Sequence, residues 1–304
     1  MKFRLRLAFQ VLIFVASPLV CAPYVRGVIP DRPEFLPLFE RAYPDIDFSC
    51  SYDTDAGDWK ISLSADGRRT ELYWADGKFL PGGELGSKNQ YSSLLYKYDF
   101  VLHDPAEFSQ EDIARIRSFS SPENRTRGKG TPPFLYDFIY DCASRIAVEQ
   151  HIKSVSFLGK RSNTHERIHR PLKAVETEIR AAAERNPEVR KFIGALQSAD
   201  SYSWRNISDS GNRSFHSLGL AVDVLPSGWR QKNLYWAWRR DIDPENWMLL
   251  PLERRWMPPE EVIEIFERNG FLWGGKWAIW DNMHFEYRPE IIMFSRMGPD
   301  SGGV

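Results

Sequence analysis

The sequence predicts an α+β fold in which helices flank a small antiparallel sheet with a metal site, after a smaller N-terminal module of mixed α/β structure. Residues 59–80 alternate apolar and polar side chains around two Asp-Gly turns, as in β-hairpins. Residues 171–186 and 258–270 have apolar side chains at helical spacing. Residues 214–224 and 281–287 set His and Asp among alternating apolar positions, as in strands whose polar side chains share one face.

Composition limits the class of function. The chain has 304 residues and a formal net charge of −1, which gives no support for a nucleic-acid surface. Aromatic residues make up 14%, and most of the 11 tryptophans lie after residue 200. This skew favours an aromatic core, and the alternative interpretation is an aromatic-walled groove for a sugar or a peptide.

The N-terminus resembles an export signal. Lys2, Arg4 and Arg6 precede an apolar run over 7–20 that is too short and interrupted for a confident membrane span. We expect residues 1–26 to be a signal peptide or an N-terminal anchor, and the protein to be exported to the periplasm or cell envelope. Lipidation at Cys21 is a weaker alternative. Any membrane attachment is expected only through this segment.

The residue pattern of the remaining chain changes near residue 150. Residues 27–150 form an N-terminal module of unknown role, and residues 151–304 are expected to be the catalytic domain. Cys50 and Cys142 would be left after cleavage of the signal, and a disulfide between them is an open question in an exported protein.

The elements follow in order. Within the N-terminal module, 120–133 is rich in Gly, Pro and charge and is predicted to be a loop, whereas 134–152 has helical apolar spacing. Pro171 suits the first turn of the next helix. The segment 218–225 is predicted as a strand, and a Trp-rich insertion covers roughly 229–256.

The last two elements are a helix and a strand. Gly270 is placed to end the helix that begins near Pro258. The segment 271–287 is predicted as a Gly-Gly turn followed by a strand.

One metal signal is the H-E-R-I-H of residues 165–169, which matches the H-E-x-x-H pattern of helical zinc proteases. That site needs one continuous helix through both histidines and beyond. Pro171 lacks a backbone donor and disfavours helix in Arg170, so a helix should begin near Pro171 and not run through it. The favoured interpretation is a loop and helix start, with His165 and His169 exposed or capping.

A second signal lies in residues 214–224. His216 falls in the loop that enters a strand, and Asp223 follows on the strand face that it shares with Gly219 and Ala221. These small residues leave room on that face. His284 supplies a third ligand, so that two His and one carboxylate form a three-ligand zinc site with an open position for water.

Two further residues accompany His284. Glu286 would share its strand face, either to orient a ligand or to meet solvent. Asp281, three residues before His284, would stand near the water as general base.

These residues together resemble a known family. The pattern S-x-H-x-x-G-x-A-x-D, here Ser214 to Asp223, followed by D-x-x-H, here Asp281 to His284, is similar to that of the LAS-type zinc peptidases. This family includes VanY-like D-alanyl-D-alanine carboxypeptidases and L-alanyl-D-glutamate endopeptidases. The segment 202–207 resembles the Tyr/Arg strand of the family, and the resemblance covers roughly 151–290.

The resemblance implies a zinc peptidase that acts on peptidoglycan stem peptides. It implies Zn2+ held by His216, Asp223 and His284, with Asp281 as base and Arg205 holding a substrate carboxylate. Ser214 is implied either in substrate contact or in bracing its loop.

The bond cleaved stays open. Carboxypeptidases of the family usually carry Glu at the position of Asp281, and Asp followed by H-F-E looks more like the endopeptidase branch. Two rival hypotheses also remain, namely a non-catalytic zinc-stabilised binding module on the same fold and a helical zinc protease that uses His165 and His169.

Overall fold

The computed structural model describes residues 33–207, 210 and 212–297. The predicted signal or anchor, residues 1–26, lies outside the described residues. Within them, no helix has both the length and the apolar character that a bilayer crossing requires.

Ten α-helices are found among the described residues. Several short 3-10 turns join them, and the one that matters for the site is Phe215–Leu218. The helices are α1 (Leu36–Ala42), α2 (Gln110–Phe119), α3 (Pro122–Arg127), α4 (Phe134–Ile139), α5 (Arg145–His151), α6 (His169–Arg185), α7 (Pro187–Ala195), α8 (Trp236–Ile242), α9 (Glu260–Arg268) and α10 (Pro289–Arg296).

The strands of the described residues form three antiparallel sheets, with orders β1-β2-β3, β4-β5 and β6-β7-β9-β8. Mixed helices and small antiparallel sheets agree with the predicted α+β class. The strands are β1 (Asp47–Asp53), β2 (Asp58–Ala65), β3 (Arg68–Tyr73), β4 (Ile152–Phe157), β5 (Lys160–His165), β6 (Leu196–Asp200), β7 (Ala221–Pro226), β8 (Phe271–Trp273) and β9 (His284–Tyr287).

The hairpin prediction for residues 59–80 is confirmed. β2 and β3 pair around Asp66 and Gly67, whose φ values of 50° and 74° suit the tight turn that a twisted hairpin needs. The second Asp-Gly turn closes through a single antiparallel bridge between Tyr73 and Leu80.

The four-stranded sheet packs its apolar face on helices. Val222, Val224 and Phe285 are fully buried, and Phe285 stacks on Phe266 of α9 at a ring distance of 3.8 Å. Each such burial contributes roughly 1.5–3 kcal/mol. The opposite face of β7 and β9 is therefore left for the polar side chains.

Four details differ from the sequence-based expectations. The predicted loop 120–133 contains α3, because Ser121 accepts a hydrogen bond from the Asn124 N–H and so caps a short helix. The segment 134–152 forms two helices, α4 and α5, interrupted around Asp141, whose φ is 45°. Residues 202–207 are not a strand: β6 ends at Asp200, and one bridge from Asn206 to Arg213 follows.

The fourth difference concerns residues 271–287. The strand β8 precedes the Gly-Gly turn and pairs with β9, which is shorter than expected and begins only at His284. The helix α6 begins at His169, so Pro171 lies in its first turn as predicted.

The largest buried cluster includes residues on both sides of residue 150. Leu36, Leu63 and Leu135 belong to it together with Val222 and Phe285. The division of the chain at residue 150 stays a prediction from the change in residue pattern. Cys50 and Cys142 are both thiols in the structure, so a disulfide between them is not observed.

Candidate metal centre

A short 3-10 turn places His216. Ser214 begins it, since its hydroxyl accepts a hydrogen bond from the His216 N–H at 3.2 Å, and Gly219 ends it with a φ of +66°. A Cβ on Gly219 would lie 2.6 Å from Ile152 Cδ1 and 2.7 Å from the His165 backbone nitrogen. Only glycine therefore fits this position, both by conformation and by space.

The pairing of β7 with β9 places the other two candidate ligands. Asp223 lies directly opposite His284, and Ala221 lies opposite Glu286. Side chains at directly opposed positions share one face of the sheet and stand about 5 Å apart at Cβ. Ala221 is small and buried and lies on the same face as Asp223, the face on which the sequence pattern predicted room.

The structure brings the three predicted ligands together. His216 Nε2 is 3.1 Å from His284 Nδ1 and 3.1 Å from Asp223 Oδ1, and His284 Nδ1 is 3.0 Å from Asp223 Oδ1. Among residues 33–207, 210 and 212–297 this is the one group of three or more His, Cys, Asp or Glu side chains with converging ligand atoms. His216 and His284 are both buried, and Asp223 is half-buried.

Hydrogen bonds on the far side of each ring set the tautomers. His216 Nδ1 donates to the Ser201 carbonyl oxygen at 2.7 Å, which leaves the lone pair on Nε2. His284 Nε2 lies 3.3 Å from Glu286 Oε2 and donates to it, so Nδ1 is the nitrogen that can bind a metal ion once it has lost its proton. His216 Nε2 and His284 Nδ1 then point to the same place as the Asp223 carboxylate.

This donor set fits a zinc ion. With bonds of about 2.0–2.1 Å in a tetrahedron, ligand atoms lie about 3.3 Å apart, close to the three distances found here. Burial alone would raise the pKa of Asp223 and lower that of His284. The charges and hydrogen bonds among Asp223, His216, His284 and Glu286 outweigh burial, so the pKa of Asp223 lies well below and that of His284 well above its usual range. The centre therefore favours positive charge.

Asp281 lies beside this centre. Its Oδ1 is buried and makes no hydrogen bond to any described residue. Burial raises the pKa of Asp281 to about 7, and the nearby Asp223 adds to the rise, against the effect of His284. A Cβ on Gly274 would come within 2.7 Å of the Asp281 carbonyl oxygen, so this glycine permits the close approach. A carboxyl with one unpaired oxygen and such a pKa suits proton transfer.

Glu286 continues into a buried ionic chain. Its Oε1 accepts from Arg288 at 3.1 Å, and Arg288 Nε donates to Glu290 Oε1 at 2.6 Å. Glu290 is fully buried and also accepts from the hydroxyls of Tyr43 at 2.7 Å and Tyr136 at 2.8 Å. Tyr43, which directly follows α1, is thus linked through Glu290, Arg288 and Glu286 to the candidate ligand His284.

This ionic chain was missed at the sequence level, apart from the orienting role considered for Glu286. A signal was present, because Glu286, Arg288 and Glu290 alternate with apolar residues and Pro. Strand spacing alone would put the three charges on one side, but β9 ends at Tyr287 and Glu290 lies in α10. The tyrosine partners lie 247 and 154 residues away, and no local pattern points to them.

The centre opens onto a cavity of about 840 Å3. Arg205 and Ser214 line it together with the three candidate ligands and Asp281. Arg205 is exposed and lies in the loop after β6, so it is brought to the cavity without the predicted strand. Residues between 92 and 136 form another wall.

The Trp-rich insertion contributes mainly core. Trp236, Trp247 and Trp280 are buried in one cluster, as the favoured interpretation held. Trp238 differs, because it is 39% exposed and lines the cavity. The insertion therefore also shapes the groove.

Within the H-E-R-I-H segment, His165 and Glu166 have ordinary structural partners, whereas the buried Nε2 of His169 makes no hydrogen bond to a described residue. His165 is buried at the end of β5, where Nε2 lies 2.8 Å from the Tyr140 carbonyl oxygen and Nδ1 accepts from the Arg167 N–H. Burial lowers its pKa to about 4. Glu166 Oε1 lies 2.8 Å from His151 Nδ1. Of the two expectations for His165, capping is confirmed, since its side chain caps the short turn Glu166–Ile168, whereas exposure is wrong, because the residue is buried.

Comparisons with known proteins agree with part of this description. A family model described as D-alanyl-D-alanine carboxypeptidase matches residues 208–287, about a quarter of the chain. That range contains His216, Asp223, Asp281 and His284, and Arg205 lies three residues before it. A family model of unknown function matches residues 35–96. Searches of curated proteins and of solved structures give no match. Residues 208–287 are thus similar to the D-alanyl-D-alanine carboxypeptidase family, and they hold the candidate metal centre.

Proposed function

We propose that the protein is a zinc metallopeptidase that hydrolyses peptide bonds in peptidoglycan stem peptides, at L-Ala-D-Glu or D-Ala-D-Ala. The observation that carries this proposal is the convergence of His216, Asp223 and His284 beside the unpaired Oδ1 of Asp281, inside the matched range. The proposal includes export, with residues 1–26 as signal or anchor, so that the protein meets its substrate in the cell envelope.

Each residue has a defined task in this proposal. Bound zinc would polarise the scissile carbonyl and lower the pKa of a coordinated water to about 7. Asp281 accepts the proton of the attacking water and gives it to the leaving amine. Arg205 holds a substrate carboxylate, since guanidinium groups bind carboxylates in a bidentate way. Ser214 keeps the His216 loop in place through its hydrogen bond to the backbone.

The experiment that tests the proposal measures zinc content and hydrolysis of purified peptidoglycan for the wild type and three variants. His216→Ala should lose both zinc and hydrolysis, because it removes a ligand. Asp281→Asn should keep zinc and lose turnover by roughly 100-fold or more, the usual contribution of a positioned base. His169→Ala should keep both.

Each contrary outcome has a distinct meaning. Loss of zinc in His169→Ala alone would move the metal to H-E-R-I-H. Zinc bound through His216 without hydrolysis of any muropeptide would favour the non-catalytic binding module. Near-normal hydrolysis by Asp281→Asn would remove Asp281 as base. Mass spectrometry of the released fragments identifies the bond.

A further inference from the structure

Arg255 lies at the end of the Trp-rich insertion and lines the same cavity. Its guanidinium stacks over the Trp280 ring at 4.6 Å. Nε donates to the Leu250 carbonyl oxygen at 3.0 Å, and Nη2 donates to the Met248 carbonyl oxygen at 3.2 Å. The side chain is therefore held in one orientation by neutral groups.

Arg255 differs in its charge balance from Arg213 and Lys276, two other cations of the cavity wall. Arg213 is paired with Asp137, and Lys276 lies 2.6 Å from Glu267. No carboxylate of the described residues forms an ion pair with Arg255. Burial lowers its pKa to about 10 and outweighs the charge of Asp104, which acts on it and raises its pKa, so the group remains a cation at neutral pH. Shielding a positive charge that has no ion pair is costly, and an anionic ligand would offset that cost.

The geometry leaves one edge of this guanidinium for a ligand. Nε and Nη2 use the edge directed at Leu250 and Met248, which leaves Nη1 and the second hydrogen of Nη2. Nη1 makes no hydrogen bond to a described residue and is not sealed from solvent. Two parallel N–H groups match the two oxygens of a carboxylate.

We propose that Arg255 is a second carboxylate-binding group of the substrate cavity, distinct from Arg205, and that it selects peptides with an additional acidic group. This inference rests on the proposed function, in which the substrate is a stem peptide. It assigns a specificity role to the insertion 229–256.

The test uses the zinc-loaded full chain and a series of synthetic stem peptides in which each carboxylate is replaced in turn by a carboxamide. The proteins are the wild type, Arg255→Gln, Arg255→Lys, and the matched control Arg254→Gln, whose side chain is exposed. For the fully acidic peptide, Arg255→Gln should raise KM roughly 10- to 100-fold with kcat retained, as expected for loss of a charged hydrogen-bonded contact. The KM of Arg255→Lys should lie between those of the wild type and Arg255→Gln, because lysine keeps the positive charge but cannot donate the two parallel hydrogen bonds of a guanidinium.

One amidated peptide identifies the partner of Arg255. Wild type and Arg255→Gln should bind that peptide equally, whereas the other amidated peptides should still distinguish them. An equal loss on all peptides, together with a lower Tm, would show that Arg255 only holds the insertion in place and would overturn the inference.

A binding measurement separates this inference from the proposed function. Zinc-loaded Asp281→Asn protein, with and without Arg255→Gln, is titrated calorimetrically with the acidic peptide. Weaker binding in the double variant supports the inference even if the wild type hydrolyses nothing. Equal binding in both proteins overturns it even if hydrolysis is observed.

Discussion

The carboxyl group of Asp281 is buried, and burial disfavours its negative charge. Burial raises its pKa to about 7, against about 3.9 in an unfolded chain. Between these two values the native state holds a proton that the unfolded state has lost. The free energy of unfolding therefore falls as pH rises through this window, and the loss is complete above it.

We predict that Asp281→Asn stabilises the zinc-free protein, because the amide carries no charge to bury. The gain in Tm over wild type should be about 2 °C or more at pH 8 and should shrink towards zero by pH 4. Calorimetry in a chelator at pH 4, 6 and 8 measures it. Asp241→Asn, an exposed change on α8, serves as the control. A gain that does not depend on pH would contradict the assigned burial effect.

The metal residues illustrate what a sequence pattern can reveal. Asp223 and His284 share a face because side chains alternate along a strand, and the register of β7 and β9 sets the two residues opposite each other. His216 is on neither strand, and the sequence pointed to it through its place in the motif just before β7. The link from Glu290 to Tyr43 and Tyr136 was not predictable, since tertiary packing brings these partners together from 247 and 154 residues away.

At the scale of the element, the turn between Phe215 and Gly219 is the part of the fold on which the centre depends most. This turn carries the candidate ligand His216, and it packs directly against the end of β5. The Gly219 carbonyl oxygen accepts from the His165 N–H at 3.0 Å. His165 of the H-E-R-I-H segment therefore helps to hold the turn that carries the candidate ligand His216, without being a ligand itself.

We predict that Gly219→Ala costs about 3 kcal/mol or more and weakens zinc binding, because the new methyl group meets Ile152 and the His165 backbone. Gly159→Ala is the matched control: its φ is +80°, yet nothing lies within 4 Å of the added Cβ. That variant should cost only about 1–2 kcal/mol, the strain of the left-handed backbone alone. Denaturant unfolding and zinc titration measure both, and equal costs would refute the crowding argument.

Elements with strong local signals were predicted well, and those without were not. The Asp-Gly hairpin and the helices α6 and α9 follow from turn chemistry and apolar spacing. The break between α4 and α5 was missed, because Asp141 adopts a left-handed backbone without glycine. The loop 202–207 reached the cavity without being a strand, since a bridge between Asn206 and Arg213 suffices to hold it.

At the scale of the whole molecule, Glu290 joins the candidate centre to Tyr43, the residue that directly follows α1. It accepts hydrogen bonds from Tyr43, Tyr136 and Arg288 in a fully buried position. Removing one member of such a group leaves the others charged or unsatisfied, which costs more than the group contributes when it is intact.

We predict that Glu290→Gln destabilises the protein by about 3–5 kcal/mol, because the buried Arg288 charge loses one of its two carboxylate partners and keeps only Glu286. Zinc affinity should also fall, by less than the roughly 10- to 100-fold typical of a residue that contacts a ligand directly. Glu264→Gln, an exposed change on α9, should leave both quantities unchanged. Unfolding and zinc titrations test this, and a destabilised variant with unaltered zinc affinity would show that the ionic chain does not reach the centre.

The hydrogen bond between Tyr43 and Glu290 spans 247 residues of sequence. Contacts of such separation form late, since the entropy of closing a long loop is lost before they can stabilise anything. During synthesis, Tyr43 leaves the ribosome long before Glu290 has been made. Until then the Tyr43 hydroxyl lacks its acceptor, Glu290. The candidate centre can therefore form only after translation is nearly complete. Chains that stop before residue 290 should accumulate as incompletely folded species.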